Sequence, residues 1–347
     1  SVRSQAPDGT FLLRYLDWCN KIAPICRICA TKQGYCAYGW LDCRDPPLPR
    51  RTMSDPRRVE HQQTDRGYVP LYTTSVVEQP WASYTAQDHQ TWAALYRRQR
   101  EILPGRACRE FLQNLGRFGI GEHQIPKFDE LNRVLRQATG WTLVGVEGLL
   151  PEFEFFDHLA KRRFPVTWWI RRPEQIDYIA EPDLFHDLYG HVPLLLEPMF
   201  ADYMQAYGAG GVRASGLGPE ALMNLTRLYW YTVEFGLIRT DEGLRIYGSG
   251  IVSSKGESIH CLESAAPNRI GFDLDRVMRT RYRIDSYQKT YFVIDGFRQL
   301  IDATAPDFAP VYARLKDQPA IAAGEILASD RVYQRGNGAG WASDGDV

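Results

Sequence analysis

Two histidines and one glutamate are the residues of this sequence best suited to hold a metal ion. His186 and His191 enclose the string His-Asp-Leu-Tyr-Gly-His, and Glu234 lies further along in an apolar stretch between Leu228 and Leu237. Two imidazoles and one carboxylate hold ferrous iron on one face and leave its other coordination positions open. Because open positions allow iron to bind dioxygen and a reductant together, the pattern predicts an oxidative centre.

Glu234 needs a positively charged partner if it is buried. Its neighbours Trp230, Val233 and Phe235 are apolar, and an unpaired buried carboxylate costs several kcal/mol. A metal ion is one such partner, and an ion pair with Arg227 is the alternative. Residue types and spacing leave zinc open beside iron, and iron is favoured because no third histidine or cysteine lies nearby.

The spacing of the two histidines requires a particular backbone. On an ideal α-helix, residues five positions apart point about 140° away from each other. Pro182 is suited to begin a helix, whereas Gly190 and Pro193 are suited to end one. We therefore predict a helix over 182–190 that ends before His191, so that the two imidazoles can meet.

The elements that must position these residues are mostly helical. Apolar periodicity predicts helices over 85–102, 106–115, 127–138, 153–162, 197–208, 219–236, 273–279, 297–301 and 306–315. Short strands are predicted over 166–170 and 291–294, a strand or surface arm over 68–72, and a strand or loop over 144–150. The glycine-punctuated stretch 247–257 is predicted to be a hairpin or loop. The sequence predicts a mainly α fold with a few short β-strands, of the α+β class, with a single catalytic domain over 53–335.

Composition narrows the class of protein. The 347 residues carry 41 Lys plus Arg against 42 Asp plus Glu, a formal net charge of -1, so we expect no nucleic-acid partner and no membrane partner. The sequence has no apolar run of the roughly 18 residues that a transmembrane helix needs. Only Cys108 and Cys261 follow residue 52, which is too few for a disulfide framework, so we expect a cytoplasmic protein.

Both ends of the chain differ from its body. The first 52 residues hold the five other cysteines, Cys19, Cys26, Cys29, Cys36 and Cys43. We expect residues 1–52 to be an N-terminal extension that is disordered or not native, with Met53 as the true start. A genuine extension and a metal knuckle at Cys26-x-x-Cys29 are the alternatives. Residues 336–347 are expected to form a disordered tail.

Three sequence motifs resemble those of the pterin-dependent aromatic amino acid hydroxylases. They span Glu181 to Leu194, Tyr229 to Gly236 and Tyr247 to Glu257, and the similarity extends from about residue 68 to about residue 315. The short chain and its Arg-Gly-Tyr-Val-Pro string at 66–70 are similar to the bacterial phenylalanine-hydroxylating members, which lack a regulatory domain. The resemblance implies that His186, His191 and Glu234 are ligands of Fe(2+).

The resemblance also implies a substrate pocket. Arg171 matches the arginine that pairs with the substrate carboxylate, a role that suits a planar guanidinium. The other implied pocket residues are Trp230, Phe235, Gly250 and Ser253. Ser253, with Glu257, is also a candidate partner for a ligand imidazole. Without the resemblance, Arg171 would be read as a solvated surface arginine, the two aromatic residues as core packing, and Ser253 as part of a local turn.

A tetrahydropterin cosubstrate is implied beside the metal. The residues that match its contacts are Gly148, Leu150, Phe155, Asp187, Tyr229 and Tyr282. Phe155 would otherwise be read as helix core. Ile179-Ala180 and Thr226 depart from the animal members of the family, which concerns details of binding rather than the reaction.

The implied activity is that of a phenylalanine 4-monooxygenase, which para-hydroxylates L-phenylalanine to L-tyrosine with O2 and a tetrahydropterin at nonheme iron(II). Tyrosine or tryptophan hydroxylation is the alternative within the family. Trp230 resembles the phenylalanine- and tyrosine-hydroxylating branches, since tryptophan hydroxylases tend to carry Phe there. The apolar Ile284, where tyrosine hydroxylases tend to carry Asp, implies phenylalanine rather than tyrosine as the substrate. From other classes, a zinc or manganese hydrolase and a non-catalytic binding protein are the alternatives. Because no apolar heptad follows residue 315, we expect a monomer.

Overall fold

The computed structural model describes residues 76–341, except 180, 285 and 305–307, together with the backbone of two strands, β1 (Gln62–Thr64) and β2 (Gly67–Val69). The chain divides into two compact units, 1–71 and 72–347. In the first unit, β1 and β2 form an antiparallel pair with Gln62 opposite Val69. The predicted extension 1–52, its cysteines and the predicted boundary before Met53 lie outside the described residues.

The second unit is mainly helical. Its α-helices are α1 (Ala86–Ile102), α2 (Arg109–Phe118), α3 (Phe128–Ala138), α4 (Glu152–Ala160), α5 (Pro198–Ala214), α6 (Pro219–Tyr229), α7 (Ser249–Val252), α8 (Lys255–Glu263), α9 (Leu274–Arg279), α10 (Phe297–Thr304) and α11 (Ala309–Leu315). The predicted α+β class with a predominance of helix is confirmed. In the part of the chain that the structure describes, no helix is both long and apolar enough to cross a membrane.

Two small sheets accompany the helices. β3 (Val76–Val77), β4 (Thr142–Val146) and β5 (Arg163–Thr167) form one, in which β4 and β5 are parallel. β6 (Leu237–Thr240), β7 (Gly243–Ile246), β8 (Asn268–Gly271), β9 (Thr290–Ile294) and β10 (Val332–Gln334) form the other, in the order β10-β8-β9-β6-β7. β6 and β8 both run parallel to β9, which is possible because helical connections separate these strands in the chain.

Helix α1 begins and ends where the sequence predicts. The Thr85 hydroxyl accepts a hydrogen bond from the Asp88 N–H, and the Asp88 carboxylate accepts one from the Thr85 N–H, which makes a reciprocal cap. At the other end, Gly105 has a φ of 76°, a conformation that favours glycine. Trp92 and Leu95 are fully buried and fix the helix to the core.

Helices α4 and α5 approach each other closely. A Cβ atom at Gly208 would lie 2.6 Å from the Leu159 side chain, and one at Gly211 would lie 2.1 Å from the Phe156 ring. Glycine at these two positions therefore lets the helices touch. This contact holds α4, and with it Phe155, in place beside the functional site described below.

The stretch 247–257 does not form the predicted hairpin or loop. It contains α7 and the first residues of α8. A Cβ atom at Gly248 would lie 2.4 Å from the Glu234 carbonyl oxygen, and one at Gly250 would lie 3.1 Å from the Glu234 carboxylate. The prediction was wrong because these glycines allow close packing against Glu234 and do not mark a turn.

The first half of the predicted disordered tail is attached to the domain. The N–H of Gly336 donates to Asn268 Oδ1 at 2.8 Å, and the N–H of Asn337 donates to the Ala265 carbonyl at 3.0 Å. Residues 336–341 are held because these backbone donors find partners there. Residues 342–347 lie outside the described residues.

Candidate metal centre

His186 and His191 are the two ends of a π-helical turn, His186–His191. In such a turn the backbone hydrogen bonds join residues five positions apart, so two residues with this spacing lie close together. Their Nε2 atoms are 3.1 Å apart. The predicted helix end before His191 is therefore wrong, since the chain continues into a 3-10 turn, Val192–Leu196.

Gly190 has a different structural role from the predicted one. It does not end a helix, because it lies inside the π-turn. A Cβ atom at this position would lie 2.9 Å from the carbonyl oxygen of Ser249 and 3.2 Å from its Cβ. Glycine therefore lets the histidine turn pack directly against α7.

Glu234 ends a second π-turn, Trp230–Glu234, which continues from α6. Its Oε1 lies 3.2 Å from His191 Nε2, and its Oε2 lies 3.6 Å from His186 Nε2. The Ser249 hydroxyl donates to Oε2 at 2.9 Å. The carboxylate thus lies against the two imidazoles, while the Arg227 guanidinium donates to Asn224 Oδ1 at 3.3 Å.

The charges of the centre favour a cation. Burial raises the pKa of Glu234, but the His191 and His186 imidazoles outweigh it and hold this pKa at about 2. Burial lowers the pKa of His186 to about 4. Around neutral pH an ionised carboxylate therefore faces a neutral His186 imidazole in a buried place.

Ser253 determines which nitrogen of His186 faces the centre. The Ser253 hydroxyl donates to the Ser249 carbonyl at 2.7 Å, so its oxygen accepts a hydrogen bond from His186 Nδ1–H at 3.0 Å. The proton on Nδ1 leaves a lone pair on Nε2. The contact has the geometry predicted for Ser253, whereas Glu257 contacts other groups and accepts from the Tyr291 hydroxyl at 2.5 Å.

The donor atoms fit a divalent ion such as iron(II). An ion with bonds of about 2.1 Å at right angles separates neighbouring ligand atoms by about 3 Å, close to the three distances between the donor atoms. Asp187 also lies within 4.8 Å of both histidines. However, its Oδ2 accepts the Thr167 N–H at 2.7 Å, and burial raises its pKa to about 7. Glu234 is therefore the better candidate for the third ligand.

Arg171 is buried and held by Asp183. Its Nε and Nη2 donate to the two carboxylate oxygens of Asp183 at 2.8 Å each, and Asp183 is fully buried. Asp183 Oδ1 also accepts the His186 N–H at 3.1 Å. The two-point pair fixes the plane of the guanidinium beside the histidine turn. Arg171 is thus not the solvated surface residue that the sequence alone suggests.

Three aromatic residues near Glu234, namely Trp230, Phe235 and Tyr282, form what we call the aromatic wall. The Trp230 ring lies 4.6 Å from the Phe235 ring and stacks on the Tyr282 ring at 4.4 Å between centroids. A Cβ atom at Gly250 would lie 3.1 Å from the Phe235 ring. The structure thus brings together Trp230, Phe235 and Gly250, which were predicted for the substrate pocket, and it stacks Tyr282, which was predicted for the pterin, on Trp230.

A second aromatic group lies beside His191. The Tyr229 ring stacks on the His191 ring at 6.3 Å, and Phe155 meets Tyr229 edge to face at 5.7 Å. A Cβ atom at Gly148 would meet no atom within 4 Å, so space is open there, and Leu150 is half-buried. We call Phe155, Tyr229, Gly148 and Leu150 the aromatic slot, since its two rings suit contact with a flat ring system.

Comparison with known proteins tests the resemblance. The biopterin-dependent aromatic amino acid hydroxylase family matches residues 68–313. The chain belongs to this family. The phenylalanine-4-hydroxylase of Ralstonia nicotianae is 61% identical over 296 residues, which cover 85% of this chain and 94% of that protein. The phenylalanine-4-hydroxylase of Chromobacterium violaceum is 61% identical over 269 residues, which cover 78% and 90%.

Solved structures agree with this assignment. The Chromobacterium violaceum phenylalanine hydroxylase with bound oxidised Fe(III) matches with a TM-score of 0.73 at 59% identity, covering 76% of this chain and 96% of that one. The same enzyme with iron(III) and 7,8-dihydrobiopterin gives 0.72 at 58% identity, covering 76% and 95%. The predicted family, the predicted iron- and pterin-dependent hydroxylase class and its cofactors are confirmed.

Sequence reasoning missed several groups that shape the site of this hydroxylase. Asp183 and Ser249 hold Arg171 and Glu234, and Gln288 accepts a hydrogen bond from the Trp230 indole at 2.9 Å. Asp183 carries a usable signal, since it is an acidic residue three positions before a candidate ligand. Ala180, in one of the departures from the animal members, lies outside the described residues, and Thr226 donates to the Leu222 carbonyl within its own helix.

Proposed function

We propose that this hydroxylase is a phenylalanine 4-monooxygenase that converts L-phenylalanine to L-tyrosine with O2 and a tetrahydropterin. The observation that carries the proposal is the convergence of His186, His191 and Glu234, with donor atoms 3.1 to 3.6 Å apart, between an aromatic wall and an aromatic slot. The phenylalanine-4-hydroxylases at 61% identity support the same reaction.

His186, His191 and Glu234 are the residues that would hold iron(II). Iron(II) and the tetrahydropterin, when bound, supply the activation of dioxygen. The protein positions the reactants. Ser253 keeps the proton of His186 on Nδ1, and Ser249 holds the Glu234 carboxylate in place.

Arg171 is proposed to bind the carboxylate of the amino acid substrate. Asp183 holds the guanidinium by its Nε and Nη2 groups, which fixes its orientation before substrate arrives. Trp230, Phe235, Gly250, Ser253 and Tyr282 are proposed to enclose the ring of the substrate and keep water away from it. An iron- and phenylalanine-bound structure of the Chromobacterium violaceum enzyme, at 59% identity, supports a pocket for this amino acid.

The pterin is proposed to bind in the slot beside His191. Phe155 and Tyr229 offer ring contacts, and Gly148 and Leu150 offer backbone groups. Burial raises the pKa of Asp187 to about 7, so this carboxyl can hold a proton near neutral pH and donate a hydrogen bond to a ring nitrogen.

Phenylalanine is proposed over tyrosine because Ile284 is apolar at a position that the family resemblance assigns to the substrate pocket. An apolar side chain offers no partner for a phenolic hydroxyl, and a buried hydroxyl without a partner lowers affinity. Hydroxylation of tyrosine or tryptophan is the second candidate within the family.

We also propose that the enzyme is a cytoplasmic monomer. In the part of the chain that the structure describes, both cysteines, Cys108 and Cys261, are buried free thiols, which suits a reducing compartment. Light scattering at micromolar concentration should give the mass of one chain, and a larger mass would exclude the monomer.

The function is tested by initial rates on protein loaded with iron(II), with a tetrahydropterin and dioxygen present. Tyrosine formation from phenylalanine should exceed dihydroxyphenylalanine formation from tyrosine and hydroxylation of tryptophan. Loading with zinc or manganese should give no product, and hydrolytic activity without pterin would favour the hydrolase. A faster rate on tyrosine would overturn the phenylalanine assignment.

A further inference from the structure

The π-turn that ends in Glu234 also holds the 281–288 loop at both of its ends. The Tyr231 hydroxyl donates to the Arg281 carbonyl at 2.6 Å, and the Trp230 indole N–H donates to Gln288 Oε1 at 2.9 Å. Between these two contacts, Tyr282 stacks on Trp230. The loop is therefore attached to the turn that supplies a metal ligand.

The Gln288 amide has one orientation that satisfies its partners. Its Nε2 donates to the Arg283 carbonyl at 2.7 Å, so its oxygen must face the Trp230 N–H. Its backbone N–H lies 3.4 Å from Glu257 Oε1, and the residue is only 2% exposed. A flipped amide would place a carbonyl against a carbonyl and an N–H against an N–H.

The Trp230 indole is held from three directions. Phe235 lies on one side at 4.6 Å, Tyr282 lies on another at 4.4 Å, and the Gln288 oxygen holds the edge that carries Nε1. Turning the indole within the wall would leave a buried N–H and a buried amide oxygen without partners, which is unfavourable. Ring packing limits the indole to a plane, and the hydrogen bond sets its rotation.

We propose that Gln288 is a positioning residue that fixes the rotation of the Trp230 indole and thereby sets the width of the pocket for the substrate ring. The inference rests on the proposed function, since it takes Trp230 as a wall of the substrate pocket. A fixed indole keeps the pocket narrow enough to select phenylalanine over the larger tryptophan. Gln288 thus acts on specificity through Trp230 without touching substrate.

The test compares kcat/KM for phenylalanine and for tryptophan in Gln288→Met, which keeps the length of the side chain and removes its side-chain hydrogen bonds. The phenylalanine value should fall about tenfold, chiefly through KM, the size expected for losing one buried hydrogen bond. The tryptophan value should stay level, so the ratio of the two also falls about tenfold. Gln288→Glu, which retains an oxygen for the indole, should restore much of that ratio.

A double-mutant cycle separates positioning from general loosening of the fold. Trp230→Phe keeps an aromatic ring and removes the N–H, so adding Gln288→Met to it should leave the ratio unchanged. In ¹H–¹⁵N spectra, the indole resonance missing from Trp230→Phe belongs to Trp230, and it should move upfield in Gln288→Met. This resonance is observed without turnover.

Gln205→Met is the matched control. Gln205 Oε1 accepts from the Arg162 side chain and its Nε2 donates to the Ala160 carbonyl, which repeats the two-bond pattern in the contact between α4 and α5. The control should lower stability and keep the ratio. A wild-type ratio and an unmoved indole resonance in Gln288→Met would overturn the inference, as would an equal loss in the Trp230→Phe background. If wild-type protein fails to hydroxylate phenylalanine, the proposed function fails instead, and the resonance still tests the hydrogen bond.

Discussion

The metal centre and the contact between α9 and the C-terminal segment both bury charged side chains, but they neutralise them differently. Arg276 and Asp330, each with 4% of its side chain exposed, pair at 3.0 Å. Arg276 also donates to Thr280 Oγ1 and to the Glu325 carbonyl, and Asp330 Oδ2 accepts the Leu327 N–H. Every charge in this pair is matched by another part of the chain.

In the metal centre, the buried Glu234 carboxylate is suited to neutralisation by a bound cation. Glu234 faces the two imidazoles and the Ser249 hydroxyl, where Asp330 faces a guanidinium. A buried carboxylate without a cation is unfavourable, and an iron ion removes that penalty. The difference shows that a buried carboxylate stabilises the fold where a guanidinium of the chain neutralises it, and is suited to hold a metal ion where no such group does.

His191→Ala should have the largest effect, on function alone. It removes one of the two proposed nitrogen ligands, so iron content and tyrosine formation should both fall below detection. The metal-free variant should unfold close to metal-free wild type, since the Arg276–Asp330 pair is intact. Metal analysis, turnover and urea unfolding check this, and retained turnover would exclude His191 as a ligand.

Asp330→Asn should instead lower the stability of the fold and leave iron binding unchanged. It leaves Arg276 buried without its counter-charge, and breaking a buried pair costs about 3–5 kcal/mol in the free energy of unfolding. Iron stoichiometry of the folded fraction should match wild type. Urea unfolding of metal-free protein measures the loss, and Arg276→Met combined with Asp330→Leu should recover part of it. A loss below about 1 kcal/mol would mean that water replaces the ion pair.

Removal of iron should come next in size. A ligand that binds only the folded state at 100 times its Kd adds about 2.7 kcal/mol to stability. Chelation should therefore lower the free energy of unfolding by about this amount in wild type and in Asp330→Asn alike. Equal stability with and without iron would show that the centre is matched within the chain, like the Arg276 pair.

Ser253→Ala should weaken iron binding without abolishing it. Losing a group that orients a ligand imidazole reduces metal affinity by about 10- to 100-fold. Ser258→Ala is the matched control, because Ser258 is equally buried and its hydroxyl donates to the Ile251 carbonyl at 2.7 Å, away from the histidines. Competition with a chelator of known affinity measures the difference. Equal affinities in the two variants would remove Ser253 from the centre.

Glu257 shows a third way to bury a carboxyl, and its effect on stability should depend on pH. Burial raises its pKa from 4.5 to about 7, with the Tyr291 hydroxyl as a partner. The folded state therefore holds this proton more tightly than the unfolded chain. The stability it contributes is complete below pH 4.5 and is lost as pH rises through 7. Glu257→Gln should flatten the pH dependence of stability between these values, and an unchanged slope would assign that dependence to other groups.

Much of the fold and the convergence of the three proposed metal ligands could be predicted from sequence. Helix α1 follows from its cap and periodicity, and the ligands follow from residue type, spacing and family motifs. The π-turn at His186 could not be predicted, because a five-residue hydrogen-bond register leaves no mark on apolar periodicity.

Other parts of the site depend on contacts between distant parts of the chain. Gln288 contacts Trp230, which lies 58 positions away in the sequence, and no local sequence pattern indicates such a contact. The prediction for 247–257 was wrong for a related reason. Gly248 and Gly250 are required by the close approach of Glu234, which is distant in sequence, and not by a local turn.

The glycines around Glu234 give this site an unusual vulnerability. Gly248 and Gly250 carry no reactive group, yet even one added methyl at Gly248 would press on the backbone of Glu234, and one at Gly190 would press on the backbone of Ser249. In a saturation-mutagenesis screen, substitutions at these glycines should reduce activity as strongly as substitutions at His186 and His191. Inherited or engineered changes there would abolish the enzyme by steric displacement, with every coordinating atom still present in the sequence.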